Sequence, residues 1–318
     1  MVPGLVPGAT QSSASRGAAG LRNLRPWECL FRDNRPVTKI RHYKLSTPAP
    51  ARDYKVRYES ELNREQLDVV MAPDGPILVI AGAGSGKTRA LTFRVSRLVE
   101  DGTDPTRILL LTFTNKAARS MLSRVEDLVQ IDTRRIWGGT FHAMGNRILH
   151  RHAEQLGFRP NFSILDEEDA KETMDSAVSS LAIDTLAKRF PRGDVLVSIH
   201  SYVVNTGTDL VAHLEERHPH FLSIAAEIAG VFDRYREKKR DSNTMDFDDL
   251  LVHWRALLLN HPAAAQAIRG HFRHILVDEY QDTNRLQAEI VDLLAAEHRN
   301  VMVVGAIPTG RSSSPTRS

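Results

Sequence analysis

Residues 76–88 read PILVIAGAGSGKT, in which an apolar run leads directly into a glycine-rich turn. Glycines allow the backbone to fold so tightly that successive N–H groups point inward at the oxygens of a phosphate. A helical pattern then runs from Thr88 to Glu100, so the positive end of a helix faces the same phosphate. This order of strand, loop and helix predicts a P-loop within an α/β fold.

The triplet Gly86-Lys87-Thr88 indicates the chemistry of this loop. Lys87 would bring a point charge to the β- and γ-phosphates of ATP, and Thr88 would offer its hydroxyl to Mg²⁺. Ala81 stands where the general pattern has its first glycine. A glycine-rich turn without a ligand is the alternative, and the register of the triplet within its flanks argues against it. We expect ATP to be bound by Ala81, Gly82, Ala83, Gly84, Ser85, Gly86, Lys87, Thr88 and Arg89.

A second apolar run, residues 275–277, ends in the two acids Asp278 and Glu279. Asp278 would hold Mg²⁺ through its water shell, and Glu279 would orient or deprotonate the attacking water. Two acids at a strand end can also simply face solvent, but the P-loop favours a catalytic role. The sequence therefore predicts ATP hydrolysis with ATP and Mg²⁺ as cofactors. The predicted catalytic residues are Lys87, Thr88, Asp278 and Glu279, and the predicted metal ligands are Thr88 and Asp278.

Short apolar runs alternate with longer helical patterns from about Tyr58 onward. The runs are apolar throughout rather than alternating, which is typical of strands buried on both faces of a parallel sheet. The sequence therefore predicts an α/β fold in which helices cover both faces of a parallel sheet. Between residues 162 and 241 the strand signal fades, and we expect a helical insertion there. The predicted strands are residues 77–80, 108–113, 136–141, 275–277 and 301–304.

The composition limits the classes of function. Of the 318 residues, 42% are hydrophobic and 25% are charged, as in an ordinary soluble globular protein. A net charge of +3 permits a nucleic-acid partner without arguing for one. With Cys29 as its one cysteine, the chain has no internal disulfide, and a reducing cytoplasm is the simplest setting. No apolar run approaches the roughly 18 residues of a membrane span, so we expect no membrane partner.

The two ends of the chain differ from the rest. Residues 1–57 are rich in Pro, Gly, Ser and Arg and are predicted to form a disordered basic tail. An organelle transit peptide and a wrongly extended start are the alternatives for this segment. Residues 306–318 do not continue the pattern of the last strand. We hypothesise a change of reading frame just after Gly305.

The residues that follow the two acids point to a family. Residues 278–284, DEYQDTN, resemble the acidic motif of UvrD/Rep/PcrA-type superfamily 1 DNA helicases. Gln281, in the fourth place, separates this group from helicases with DEAD-type motifs. Together with the P-loop, the motifs occur in the expected order and cover roughly residues 62–305. The other matching stretches are residues 62–66 (LNREQ), 111–118 (LTFTNKAA), 139–142 (GTFH) and 246–251 (DFDDLL).

The resemblance implies a RecA-like motor that uses ATP to move 3′-to-5′ along single-stranded DNA and to separate the duplex ahead. It assigns residues 58–161 and 242–305 to this motor domain and residues 162–241 to a helical insertion subdomain. Gln66, in the family's Q motif, would read the edge of the adenine. The implied partners are single-stranded DNA and 3′-tailed duplex DNA, in a pathway such as DNA repair.

The loops after the second and third predicted strands carry the implied DNA contacts. The ring of Phe113 or Phe141 can stack on an unpaired base for about 1–3 kcal/mol, whatever the base. The alternative is that both rings belong to the core, and the resemblance favours the DNA contact. Polar side chains beside them can bond to the phosphate–sugar backbone. The predicted DNA-binding residues are Thr112, Phe113, Thr114, Asn115, Thr140, Phe141 and His142.

The family pattern continues into a second motor domain, which the residues after Gly305 do not begin. Arginines of such a second domain raise the rate of phosphoryl transfer by roughly 10³–10⁵-fold. For this chain we therefore expect the ATP-binding half only, with weak ATP binding, little hydrolysis and no unwinding. Two alternatives stay open: the motor part of a recombination helicase–nuclease subunit, and a non-enzymatic fragment that binds ATP or DNA.

Overall fold

The computed structural model describes residues 54–82, 84–181, 183 and 190–306. The predicted tail up to residue 53 and the loop residue Ala83 lie outside the described residues. Residues 307–318 also lie outside the described residues. They make up most of the segment after the hypothesised change of reading frame.

The described part of the chain contains both strands and helices, and four α-helices follow one another between residues 167 and 242. No helix of that part is long and apolar enough to cross a membrane. The strands are β1 (Ile77–Ile80), β2 (Ile108–Thr112), β3 (Trp137–Thr140), β4 (Ser163–Ile164), β5 (Thr244–Met245), β6 (His274–Val277) and β7 (Val301–Gly305). The α-helices are α1 (Tyr58–Glu61), α2 (Arg64–Met71), α3 (Lys87–Glu100), α4 (Asn115–Val129), α5 (Phe141–His152), α6 (Glu167–Ser180), α7 (Gly193–Thr206), α8 (Leu210–Arg217), α9 (Ala225–Ser242), α10 (Phe247–Asn260), α11 (Pro262–His271) and α12 (Arg285–Ala295).

Five of the strands form one parallel sheet in the order β1-β7-β6-β2-β3. All five predicted strands occur, with small differences at their ends. The predicted run of residues 108–113 ends at Thr112, so Phe113 leaves the sheet. The predicted α/β class with a parallel sheet is confirmed.

Strand β2 shows why the predicted strands are apolar throughout. Successive side chains of a strand point to opposite faces of the sheet. Leu109 and Leu111 pack into the core under α5, α10, α11 and α12. Ile108 and Leu110 pack into a second core, under α3 and α4. Both faces of the sheet are therefore covered by helices, as the apolar runs predicted.

Helices α6 to α9 enclose a third hydrophobic core of their own, which includes Met174, Leu196 and Ile228. The chain enters and leaves this helical part through β4 and β5, which pair in parallel. Ser163 lies opposite Thr244, and Ile164 lies opposite Met245. The first and last residues of the helical part are therefore held side by side.

A buried ion cluster joins the helical part to the layer next to the sheet. The ammonium of Lys239 in α9 lies 2.5 Å from a carboxylate oxygen of Asp246 and 2.6 Å from one of Asp249. The hydroxyl of Tyr235 donates to Asp246 at 2.8 Å. Burial, and then the charge of Asp246, raise the pKa of Asp249 to about 6. Because a buried charge without a partner is costly, this cluster holds α9 against the start of α10.

On the other side of the molecule, packing begins upstream of Tyr58. The hydroxyl of Tyr54 donates to a carboxylate oxygen of Asp101 at 2.9 Å. Val56 is buried in the core under α3. Tyr54 and Val56 are therefore packed against the domain, although composition assigned them to the tail.

Candidate nucleotide site and candidate DNA-facing edge

The sheet brings the candidate residues to one edge. In a parallel sheet the carboxyl ends of all strands lie on the same side, where loops bind ligands. β1 leads into the P-loop and β6 leads into Asp278, whereas β2 leads into Phe113 and β3 ends at Thr140. With the order β1-β7-β6-β2-β3, the nucleotide candidates lie on one half of this edge and the DNA candidates on the other.

The P-loop depends on glycines at two turns. Gly84 and Gly86 have φ angles of 75° and 84°, in the left-handed region that favours glycine. Gly86 lies directly before the first turn of α3, which begins at Lys87. A Cβ atom at Gly86 would come within 2.4 Å of Nε2 of Gln66. At Gly86 the loop therefore needs glycine both for its conformation and for the close approach of a neighbour.

Gln66 is hydrogen-bonded to the P-loop. Its Nε2 donates to the carbonyl of Ser85 at 3.0 Å, and its Oε1 accepts the N–H of Asn63 at 3.3 Å. Asn63 in turn accepts the N–H of Gln66 at 2.8 Å, which caps α2. Arg89, the last predicted ATP-binding residue, pairs with Glu61 at 2.6 Å.

Lys87 lies within the loop that would hold the phosphates. Its Nζ donates to the carbonyls of Ala81 and Gly82, at 3.3 Å each. Thr88 follows in the first turn of α3 and is half-buried. The charge of Lys87 also acts on the carboxyl of Asp278. It opposes the burial and the charge of Glu279 that raise the pKa of this carboxyl. The P-loop and the acidic strand end therefore interact electrostatically.

Asp278 has the features of a metal ligand. Its side chain is only 5% exposed, and its Oδ1 has no hydrogen-bond partner among the described residues. Burial, and then the charge of Glu279, raise the pKa of this carboxyl to about 6, against the opposing effect of Lys87. A buried carboxylate oxygen without a donor is unfavourable unless a cation or another donor satisfies it. This orphaned oxygen fits Mg²⁺.

Glu279 is held in an unusual backbone conformation. Its φ of 49° and ψ of 44° lie in the left-handed region, which costs a non-glycine residue about 1–3 kcal/mol and often marks a functional site. Its carboxylate accepts from Nε2 of Gln281 at 2.8 Å. Oε1 of Gln281 accepts the N–H of Ala306 at 2.8 Å, just after β7. Sequence reasoning used Gln281 only to separate families and missed this bridge, which requires knowing that β7 lies beside β6.

At the end of β2, exposure separates the candidate DNA contacts. Phe113 is 55% exposed, and Thr114 and Asn115 also reach solvent. Thr114 caps α4 by accepting the N–H of Ala117 at 3.1 Å. Thr112 is buried, and its hydroxyl donates to the carbonyl of Thr114 at 2.9 Å. The expectation that Thr112 contacts DNA is therefore corrected, because its hydroxyl is enclosed and already used.

At the end of β3 the structure corrects a second expectation. Phe141 is 2% exposed and lies in the core cluster that contains Trp254. A ring buried in this way cannot stack on a base, so Phe141 belongs to the core. Thr140 caps α5 by accepting the N–H of Ala143 at 3.2 Å. His142 is half-buried, and this burial lowers the pKa of its imidazole.

Sequence reasoning missed one exposed aromatic residue at this edge. Phe247, the first residue of α10, is 51% exposed, and its ring centroid lies 6.0 Å from that of His142. The resemblance of the DFDDLL motif assigns no role to Phe247. A large apolar residue between two acids at the start of a helix is the signal that could have identified it.

Comparison with known proteins agrees with this geometry. Residues 62–306 match the family model described as "UvrD/REP helicase N-terminal domain". The "ATP-dependent DNA helicase PcrA" of Staphylococcus epidermidis is 38% identical over 245 residues, which are 77% of this chain and 33% of that protein. The protein of the same name from Leuconostoc citreum is 38% identical over 246 residues, 77% of this chain and 32% of that protein. The Staphylococcus aureus (strain Mu50) protein is 37% identical over 247 residues, with shares of 77% and 33%.

The chain thus spans about a third of the length of these relatives, and the matched region includes every strand of the sheet. Taken with the P-loop, the acidic motif and the parallel sheet, the match shows that this chain belongs to the UvrD/REP helicase family, whose N-terminal domain it contains.

Proposed function

We propose that this chain binds Mg²⁺ and ATP at the P-loop and single-stranded DNA at the ends of β2 and β3. As part of a longer protein, this domain would use ATP hydrolysis for 3′-to-5′ movement on DNA, with 3′-tailed duplex DNA as the unwinding substrate. One observation carries the proposal. The buried carboxylate oxygen of Asp278, which has no hydrogen-bond partner within the described part of the chain, lies at the same sheet edge as the P-loop and the exposed ring of Phe113.

In the nucleotide half of the edge, each residue has a separate task. Thr88 and Asp278 would hold Mg²⁺, which would neutralise charge on the phosphates. Lys87 exchanges its bonds to loop carbonyls for bonds to phosphate oxygens. Glu279 orients the attacking water and accepts its proton, while Gln281 keeps that carboxylate in place. Gln66, which lies beside the loop, would exchange its present side-chain hydrogen bonds for the edge of the adenine.

In the DNA half of the edge, the exposed rings of Phe113 and Phe247 offer faces on which bases stack, independently of sequence. Thr114, Asn115 and His142 supply polar atoms for the phosphate–sugar backbone. We assign residues 58–161 and 242–305 to the motor domain and residues 162–241 to the insertion subdomain. The cytoplasm is the proposed location.

Two single substitutions test whether the two halves are separate sites. Lys87→Ala should weaken binding of a fluorescent ATP analogue with Mg²⁺ at least about tenfold, because the variant lacks the positive charge that faces the phosphates. Its affinity for a labelled oligothymidine, measured by fluorescence anisotropy, should not change. Phe113→Ala should do the reverse and weaken DNA binding by about 1–3 kcal/mol. The proposal fails if neither ligand binds the unaltered chain, or if Lys87→Ala leaves nucleotide binding intact.

A further inference from the structure

Asn205, in the last turn of α7, connects the helical part with two elements of the candidate site. Its Oδ1 accepts from Nδ2 of Asn284 at 2.9 Å. Its Nδ2 donates to Oδ1 of Asp248 at 2.6 Å. All three side chains are half-buried. One amide therefore joins the ends of three helices, α7, α10 and α12.

The direction of each hydrogen bond is fixed by the neighbours. Oδ1 of Asn284 accepts the N–H of Gln287 at 2.8 Å, which caps α12, so Asn284 can only donate towards Asn205. A carboxylate, as at Asp248, accepts hydrogen bonds. The residue between them must accept on one side and donate on the other, which a carboxamide does and neither a carboxylate nor an aliphatic side chain can. The amide is also held within its own helix, because Nδ2 lies 3.0 Å from the carbonyl of Ser201.

Each end of this bridge leads to a different ligand. Asn284 is the last residue of the acidic motif, and a single turn, Tyr280–Asp282, and Thr283 separate it from Glu279. Asp248 is the neighbour of Phe247, the exposed ring that contacts His142. A shift of the acidic motif on nucleotide binding would therefore be passed through Asn205 to the start of α10.

We propose that Asn205 is a positioning residue that couples the nucleotide site to the DNA contacts at Phe247 and His142. The inference rests on the proposed function, since it requires both ligands to bind. Coupling between two binding sites is reciprocal, so each ligand changes the affinity of the other by the same factor. Typical factors are about 5–150-fold. Asn205 touches neither ligand site itself, so its replacement should change the factor and leave the separate affinities unchanged.

The test measures the affinity of a fluorescent ATP analogue with and without saturating oligothymidine, using the full 318-residue chain. In the unaltered chain, DNA should change the nucleotide Kd by at least about fivefold. Asn205→Ala should bring this factor close to one, with each separate Kd within about twofold of its original value. Asn205→Asp should also bring the factor close to one, because the new carboxylate would face that of Asp248 and the two would repel each other. The melting temperature of each variant is measured alongside.

Exchanging the amide and the carboxylate between positions 205 and 248 tests the hydrogen-bond directions more directly. In the double variant Asn205→Asp with Asp248→Asn, the new amide at position 248 donates to the new carboxylate at position 205, which still accepts from Asn284. This variant should recover the coupling factor that Asn205→Asp loses. Ser201→Ala is the matched control, because it removes a 3.3 Å contact of the same amide within α7 and should keep the factor.

Three results would overturn the inference. The first is a coupling factor in Asn205→Ala equal to that of the unaltered chain. The second is a double variant that folds and binds both ligands without recovering the factor. The third is an unaltered chain that binds both ligands independently, which would leave the proposed function standing. If the unaltered chain binds neither ligand, the proposed function is wrong, and the inference is wrong with it.

Discussion

At the scale of single residues, the site contains groups that are unfavourable for folding. Asp278 buries a carboxylate oxygen without a hydrogen-bond partner among the described residues, and Glu279 adopts a left-handed backbone. Both conditions cost free energy in the folded chain and are found where ligands bind. These two residues are therefore expected to lower stability in exchange for binding and chemistry.

Asp278→Asn should separate stability from metal-dependent binding. Since the amide carries no charge to desolvate, the free energy of unfolding should stay constant or rise by roughly 1–3 kcal/mol. The gain in nucleotide affinity that Mg²⁺ gives over EDTA should be lost. Urea unfolding and titration of a fluorescent ATP analogue measure the two effects.

Asp292→Asn is the control for this prediction. Asp292 in α12 also has an unpartnered buried Oδ1 within the described residues, and burial followed by the charge of Glu289 raises its pKa to about 6. It lies outside the site, so its variant should change stability only. A loss of the Mg²⁺ effect in Asp292→Asn would argue against the role given to Asp278.

At the scale of elements, several motif residues start helices. Thr114 caps α4, Thr140 caps α5, and Asn284 caps α12 through side-chain oxygens that accept backbone N–H groups. A helix that begins at the carboxyl end of a strand directs its positive end towards the ligand edge. The motif residues therefore set the geometry of the edge as well as its chemistry.

Thr140→Ala should lower the free energy of unfolding by about 1 kcal/mol, because the first turn of α5 loses its cap. Thr140→Ser keeps the capping oxygen and should lie within about 0.5 kcal/mol of the original. Urea unfolding followed by circular dichroism measures both variants. Equal losses in the two would mean that the methyl group, rather than the cap, stabilises this position.

The sequence predicted the strands of the main sheet but neither the two-residue strands β4 and β5 nor the surroundings of individual side chains. Runs that are apolar throughout predicted all five strands of the sheet, because both faces of each strand are covered. Phe113 and Phe141 looked alike, since each follows a buried strand. β2 ends before Phe113 and a loop intervenes, whereas β3 runs directly into α5 and turns Phe141 inward. The order of the strands likewise depends on which edges meet, and a single sequence does not record this.

At the scale of the whole molecule, acid stability should depend on buried histidines. Burial, and then the charge of Lys239, lower the pKa of His200 to about 4, whereas an unfolded histidine has a pKa near 6.5. Between these values the unfolded chain binds a proton that the folded chain does not. The free energy of unfolding therefore falls as the pH falls from about 6.5 to about 4.

Replacing His200 measures how much this residue contributes to the pH dependence of the free energy of unfolding. The loss of stability between pH 7 and pH 4.5 should be smaller in His200→Leu than in the original chain, by on the order of 1–3 kcal/mol. Asp249, whose raised pKa acts in the opposite direction, is present in both proteins and largely cancels in the comparison. Urea unfolding at the two pH values gives the difference. Identical slopes would show that His200 is protonated in the folded chain.

The sheet order also affects how the protein is made. β1, which carries the P-loop, is an edge strand, and its ladder is formed with β7, so that Ile77 meets Met302. At about 5–20 residues per second, a ribosome needs on the order of ten seconds or more to make the chain between these strands. Until β7 emerges from the exit tunnel, the apolar residues of β1 have no native partner strand. We therefore expect the nascent chain to need chaperones during this interval, and its nucleotide loop to form only after β7 has been made.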